Sequence, residues 1–438
     1  MRPAVAHGTQ TTARRYRPYP RYKDSGIEWL GEIPEHWEIK RLKYVTRCLD
    51  GRRIPLNAEQ RGRMQGEYPY WGANGIVDYL NDWLFDEKLV LLGEDGAPFF
   101  ERFKDVAFFV TGKVWVNNHI HVLRALRSTE PRYLVHVLNM TDYAAFIDGT
   151  TRDKLTQDKM NHIPVLFPPV DEQRAIAAFL DRETVRIDVL IEKKERQIEL
   201  LQEKRAAGIS HAVTKGLNPN VKMKDSGIEW LGEIPEHWEV KTLKRVFRIL
   251  NGSTPKSGEP SYWDGDIPWA TPDDLGSLQG DTLFSTRRMI TEDGYNSCGT
   301  TLAPAGSLVL STRAPIGHLA IAAVPLCTNQ GCRCLVFHTK DETRFFYYQL
   351  LTARQELESW GQGSTFQELS RDKLGAVYLV APPVDEQRAI AAFLDRETAR
   401  IDALIEKIRK SIELLREYRT ALISACVTGK IDVREEVA

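Results

Sequence analysis

Cys327, Cys332 and Cys334, with His338 close behind, come nearest to a metal site in this sequence. Thiolates and an imidazole are zinc ligands, but structural zinc sites pair their cysteines across short hairpins. Here four residues and then one separate the thiols, and Cys332 and Cys334 fall on one face of a predicted strand. Buried cysteines account for that pattern, so no metal is expected. Phosphate chemistry has no better foothold. Gly112-Lys113 and Gly429-Lys430 carry Ala107 and Ser424 where a nucleotide-binding loop needs its first glycine. Trp360-Gly361-Gln362-Gly363 lacks the strand and downstream acid of a dinucleotide site. Neither Pro168-Pro169 nor Pro382-Pro383 has the polar residue and aromatic of an amino-methylation box. His36 and His237 recur beside Trp37 and Trp238, which suits packing better than catalysis. The acids show no catalytic spacing. No catalytic, cofactor-binding or metal residue is assigned.

Basic side chains are what remain. Lys40, Arg41, Lys43, Arg47, Arg52 and Arg53 fall within fourteen residues, with Asp50 the only acid among them. Lys241, Lys244, Arg245 and Arg248 occupy the matching place further on. Their charge suits DNA phosphates, which position a protein without specifying a sequence; a solvated face is the alternative. Arg313, in a turn-like STRAPIG run, is a further candidate for a guanine edge, a phosphate or an internal acid.

The chain that must present these residues has 438 of them, a formal net charge of -1 and 42% hydrophobic content. Those figures suit two or three soluble domains and exclude collagen, a disordered chain and a protein basic throughout. No run approaches the roughly 18–20 apolar residues of a membrane span. Six scattered cysteines make no disulfide framework, and the start has no apolar signal segment, so a cytoplasmic protein is expected. Residues 1–21 carry five arginines and no acid, and read as a disordered tail.

A duplication organises the rest. Asp24–Glu38 reads DSGIEWLGEIPEHWE, and Asp225–Glu239 repeats it 201 residues later. Pro168–Thr184 reads PPVDEQRAIAAFLDRET, and Pro382–Thr398 repeats it 214 residues later. Between these boxes lie two unlike, strand-rich middles, about Ile39–Ile163 and Val240–Val377. Strands are predicted at Lys88–Leu92, Val106–Val110, Ser307–Ser311, His318–Val324 and Arg333–Phe337, and helices at Glu130–Asn139 and Asp341–Gln355. The predicted fold class is α+β: two pseudo-repeated mixed domains, each followed by a long helix.

Each proline pair enforces an extended approach, with Asp171 and Asp385 at the expected helix caps. The second helix spaces Ile401, Ile405, Ile408, Ile412, Leu415 and Leu422 by fours, threes and a seven, a coiled-coil seam. The first keeps Ile187, Ile191, Ile198 and Leu201, with Lys194 where Ile408 stands. Arg205 interrupts its seam, as Arg419 does in the second. Each helix runs for about 40 residues, roughly 60 Å. Its natural partner is the other, antiparallel, which would leave the two globules at opposite ends. The expected divisions are 1–21 tail, 22–170 first domain, 171–215 spacer helix, 216–222 linker, 223–384 second domain and 385–438 final helix and tail.

With these motifs in view the chain resembles the specificity subunits of type I restriction-modification systems. The resemblance runs from Tyr22 to about Asp432. It rests on IPEHWE at Ile33–Glu38 and Ile234–Glu239 and on PPVDEQRAI at Pro168–Ile176 and Pro382–Ile390. GSTPKSGEPSYWDGDIPWATPDDL at Gly252–Leu275, STRAPIGHLAI at Ser311–Ile321, TNQGC at Thr328–Cys332 and GQGSTFQEL at Gly361–Leu369 add to it. The first middle carries YPYWGANGIVDY at Tyr68–Tyr79, WVNNHIHVL at Trp115–Leu123 and GTTRDKL at Gly149–Leu155 instead. The resemblance implies two target recognition domains, each reading one half of a split, asymmetric double-stranded DNA target. It implies helical spacers that bind two methyltransferase subunits, which carry S-adenosylmethionine and methylate adenine. It further implies separate motor and endonuclease subunits using ATP and Mg, with no cofactor and no catalysis on this chain. A scaffold with two docking domains and a standalone DNA-modifying enzyme are the rival readings.

Overall fold

The computed structural model describes residues 16–148, 153–313, 315–339, 341–361 and 368–437. The first fifteen residues of the predicted tail, and parts of the GTTRDKL and GQGSTFQEL runs, lie outside them. The chain divides into two compact units, Met1–Arg196 with Ile408–Ala438, and Gln197–Lys407.

In the first unit, Tyr22–Asp24 pairs with Glu32–Pro34, and Glu38–Arg41 runs antiparallel to Pro164–Phe167. One four-stranded sheet follows the order Thr46–Cys48, Ile120–Ala125, Leu89–Gly93, Ala107–Val110. A second has Gly75–Leu80, Gln65–Gly72, Lys113–Val116 and Phe85–Asp86 in that order, and its middle pair is parallel. Leu89–Gly93 is apolar without alternation because both its faces are covered. Val90 and Leu92 join Leu134 and Leu138 of the Pro131–Met140 helix in one core, while Leu89 and Leu91 join Val114 and Val116 in another.

The second unit repeats this plan. Met223–Asp225 pairs with Glu233–Pro235, and Glu239–Thr242 with Tyr378–Ala381. Its larger sheet is ordered Phe247–Asn251, Cys332–Phe337, Leu308–Ser311, Leu319–Ala322, Thr282–Leu283. Trp263–Ala270 and Cys327–Thr328 form its parallel pair. Leu308 and Leu310 face one core and Val309 the other. The predicted strands and the helix at 130–139 are present, shifted by one or two residues at their ends; the predicted helix Asp341–Gln355 is two, Thr343–Thr352 and Arg354–Ser359, broken at Ala353. Cys332 and Cys334 share one apolar core and Cys327 sits in a different one, which disperses the thiols. Burial pushes Cys334 up to about 12 and Cys327 to about 11, so they stay neutral and behave as small hydrophobes.

The long helices span Val170–Lys215 and Val384–Val427, 46 and 44 residues. Each therefore starts one residue before its predicted cap. Asp171 and Asp385 lie in the first turn, where they pair with Arg174 and Arg388 three residues on. The two helices pack together in both units. In the first, Ile187 shares a core with Leu422, while Ile191, Leu415 and Tyr418 pack against it. Asp188 pairs with Arg419 and Glu195 with Arg416, so the partner number falls as the first rises, an antiparallel arrangement. In the second, Arg205 pairs with Asp402, and Ile209 and Val213 share a core with Leu394 and Ile390. The two interrupting arginines thus solve the same problem, each taking the equivalent aspartate of the other helix. Ile401, Ile405, Ile408 and Ile412 are buried, and Ile198 and Leu201 are half-buried.

Residues 16–21 correct the predicted tail. Tyr16 and Tyr19 are 6% and 3% exposed, and Tyr16 meets the Phe179 ring edge-on at 5.5 Å. Arg17 forms a backbone bridge with Asp432. A count of arginines suggested disorder; two tyrosines with an apolar place to go decide otherwise.

Candidate nucleic-acid interface

The two repeated boxes meet in each unit. Glu172 of the first DEQR accepts hydrogen bonds from Trp37 Nε1 at 2.9 Å and Tyr19 Oη at 2.5 Å, and faces His36 Nε2 at 2.9 Å. Glu386 accepts from Trp238 Nε1 at 2.9 Å and faces His237 at 2.6 Å. Both tryptophans are fully buried, so each indole N–H needs such an acceptor. Gln173 and Gln387, both buried, donate to the Pro168 and Pro382 carbonyls and accept from the Glu130 and Glu342 amides. These four side chains tie each long helix to its domain. The helix ends dock in the same way: Gly216 and Gly429 take positive φ, and a Cβ on either would press on Trp238 or Trp37. With the frame accounted for, recognition is left to the middles.

The candidate basic residues separate into three kinds. Arg41, Lys43 and Arg47 are exposed in the first unit, as are Lys244, Arg245 and Arg248 in the second. Lys40 and Lys241 each pair with a carboxylate on their own strand, Glu38 and Glu239, at 2.9 and 2.8 Å. Those contacts hold both carboxyls below their ordinary range. Arg52 lies over the Phe85 ring, donates to the Leu84 carbonyl and pairs with Glu87 at 3.6 Å. Arg53 is internal: its side chain is 14% exposed and donates to Glu94 at 2.6 Å and the Ile120 carbonyl at 2.9 Å. Arg313 is half-buried and paired with Glu368 at 3.1 Å.

One corner of each middle is built alike. In the first unit the Asn117 amide donates to the Trp71 carbonyl, and its side chain accepts from the His119 amide at 2.8 Å. That turn leaves Asn118 exposed at its tip. The Glu94 amide donates to the His119 carbonyl, and the Leu155 amide to the Glu94 carbonyl. In the second unit Asn329, Ala270 and Gly331 make the same turn, with Gln330 exposed at its tip. Thr312 N–H donates to Gly331 O, and Leu369 N–H to Thr312 O, at 2.8 Å each. An isolated bridge closes each corner, Asp95 to Lys154 in one and Arg313 to Glu368 in the other.

Residues 34–200 and 235–414 match the type I restriction modification DNA specificity domain. The chain belongs to the type I restriction-modification specificity subunits. The MjaIX specificity subunit of Methanocaldococcus jannaschii is 37% identical over 194 residues, a match spanning 44% of this chain and 44% of that one. The putative MjaX specificity subunit of the same organism is 27% identical, with 92% of this chain and 96% of that one covered. A chain from the solved structure titled "Structural basis underlying complex assembly and conformational transition of the type I R-M system" matches with a TM-score of 0.68. It is 20% identical, over 90% of this chain and 98% of that one. The HsdS subunit of Thermoanaerobacter tengcongensis has a TM-score of 0.53 at 18% identity, covering 91% and 98%. The two middles are thus target recognition domains, and the specificity subunit's work is sequence-specific DNA recognition on behalf of the methylation and restriction machinery.

Within the first target recognition domain, Asp50, Glu94 and His121 bring together two carboxylates and an imidazole, all potential metal ligands. Arg53 already fills that role. Its guanidinium lies 2.6 Å from Glu94 and 3.5 Å from Asp50. His121, 1% exposed, faces Asp50 Oδ2 at 2.6 Å through Nδ1 and the Leu155 carbonyl at 2.8 Å through Nε2. The two carboxylates thereby face the Arg53 guanidinium and the His121 ring. Burial pushes the Asp50 carboxyl up, but the His121 contact, the Val122 amide and Arg53 outweigh it and hold it low. In the second domain the residue at the same register is Arg333, whose side chain is 11% exposed and donates to the Gln330 carbonyl. Sequence reasoning passed over Glu172, Gln173, Asp95, Asn118, His121 and Gln330. Glu172 and Gln173 carried a signal in their exact repetition as Glu386 and Gln387, and Asn118, His121 and Gln330 only as letters of the WVNNHIHVL and TNQGC motifs. Among the described residues no helix is long and apolar enough to cross a membrane.

Proposed function

We propose that this subunit reads a bipartite, asymmetric DNA target, one half-site per target recognition domain, separated by unspecified base pairs. The observation that carries the reading is a frame repeated residue for residue around two unlike middles. Two unlike readers have no reason to prefer a palindrome. The division follows the boxes: readers at 22–170 and 223–384, spacer helices at 171–215 and 385–438, and a linker at 216–222. The helices act as an antiparallel coiled coil, on the seam Ile187, Ile191, Ile198 and Leu201 against Ile401, Ile405, Ile408, Ile412, Leu415 and Leu422. Two copies of a modification subunit dock on this doubled frame and bring S-adenosylmethionine for adenine methylation. Restriction subunits supply ATP- and Mg-dependent cleavage in the cytoplasm, and this chain itself performs no catalysis. Arg41, Lys43 and Arg47, with Lys244, Arg245 and Arg248, rest on phosphates. Lys40, Lys241 and Arg52 support the same surface from within ion pairs, while Arg53 serves the interior.

The test is a methylome read in cells expressing the chain beside its modification subunit. A two-part, unlike motif is expected. Exchanging residues 39–163 for another reader should change one half-site and preserve the gap and the other half. A palindromic or gapless motif refutes the reading.

A further inference from the structure

We infer that the matched corners of the two domains are where base edges are read, by Asn118 and Asp95 in the first and by Gln330 and Arg313 in the second. The inference rests on the proposed reading of one half-site per domain and names the side chains that perform it. The backbone of the corner is the same in both domains, down to two interstrand hydrogen bonds, one side-chain-closed turn and one isolated bridge. Its outward side chains are not. By position in the corner Asn118 corresponds to Gln330, whose Oε1 accepts from Thr254 at 2.6 Å; Asp95, 21% exposed and facing His119 Nδ1 at 3.1 Å, corresponds to Arg313, and Lys154 to Glu368. Across the same bridge the charges are reversed, acid to base in one domain and base to acid in the other. Folding alone needs the frame and is indifferent to which strand carries the positive charge. A pair of readers with different targets needs a fixed frame with exchanged side chains.

The exchanged residues have the chemistry of groove recognition. A side-chain amide matches the N6 and N7 edge of adenine, a guanidinium the O6 and N7 edge of guanine, and a carboxylate accepts from the N4 amine of cytosine. The first corner thus offers an amide and an acceptor, suited to adenine and cytosine. The second offers an amide and a guanidinium, suited to adenine and guanine. Each corner also has a buried or half-buried nitrogen side chain at the same register, His121 or Arg333, bonded to surrounding carbonyls and carboxylates. Arg313 is steadied by Glu368 yet remains 42% exposed, which leaves donors for a base.

The experiment compares methylomes from cells carrying the full chain and its modification subunits. Gln330→Ala and Arg313→Ala should each relax one base pair in one half-site. Discrimination there should fall roughly ten- to a hundredfold, with the other half-site and the gap unchanged. Asn118→Ala and Asp95→Ala should act in the same way on the other half-site. Arg313→Lys keeps the charge but loses the two-pronged donor, so it should also relax its position. If Arg313→Ala unfolds its domain, Gln330→Ala at the exposed tip decides the matter. Folded variants that keep the parental motif overturn the inference. So does an equal fall in affinity for specific and unrelated duplexes, which would make these residues phosphate contacts. In both cases the two-part motif persists and the proposed function stands. A parental complex with no two-part motif overturns both.

Discussion

Glu172 gathers hydrogen bonds from residues that are far apart in sequence, and its counterpart Glu386 gathers fewer. Burial, together with the Glu172 contact, pushes the Tyr19 hydroxyl well above its ordinary range, which keeps it a donor. Glu172→Ala would strand two buried donors, at about 1–3 kcal/mol each. The expected loss is roughly 2–6 kcal/mol from the first unit. Glu386→Ala strands only the Trp238 indole, beside a side chain already 42% exposed, and should cost about half as much. Denaturant titrations of the two variants check this; equal losses would mean that Tyr19 adds nothing. At this scale the sequence was legible wherever a residue was repeated. The boxes were visible as letters, but the bond from Glu172 to Trp37 spans 135 positions, and no local pattern encodes a partner that distant. The corner residues were legible only as family motifs, because an exposed amide on a turn looks like any other polar loop residue.

Among the elements, the long helices make the sharpest prediction. Ile412 is 6% exposed in the seam, so Ile412→Asp buries a charge against apolar neighbours. The cost should be about 3 kcal/mol or more, read as a lower melting temperature and weaker assembly with the modification subunit. Unchanged melting and assembly would remove Ile412 from the seam. The spacing of isoleucines and leucines was enough to foresee the helices, since a 3.5-residue repeat is a local property. Strand existence was legible for the same reason. Strand partners were not: the parallel pairing of Trp115 with Tyr70, and of Trp269 with Cys327, is settled by which apolar faces cover each other. The helix starts were misjudged by one residue because Asp171 looks like a cap, whereas Gln173 holds the preceding proline carbonyl.

For the whole molecule, a net charge of -1 means that attraction to DNA must be local. Replacing Arg41, Lys43 and Arg47 together by alanine should weaken binding to every duplex alike. The logarithmic salt dependence should become shallower by about 0.9 for each phosphate that is no longer neutralised. Unchanged affinity at low and high salt would make the three a solvated face. The identity of the two frames has a separate, genetic consequence. Because the Trp–Glu and Gln–proline contacts close within each domain and its helix, a new middle inherits its anchoring ready-made. The same opening box and the same closing box flank both middles, so an exchange of middles can begin in one and end in the other. Such a crossover leaves the Trp–Glu and Gln–proline hydrogen bonds of the frame intact. One such exchange can therefore bring a new reader onto the same anchoring.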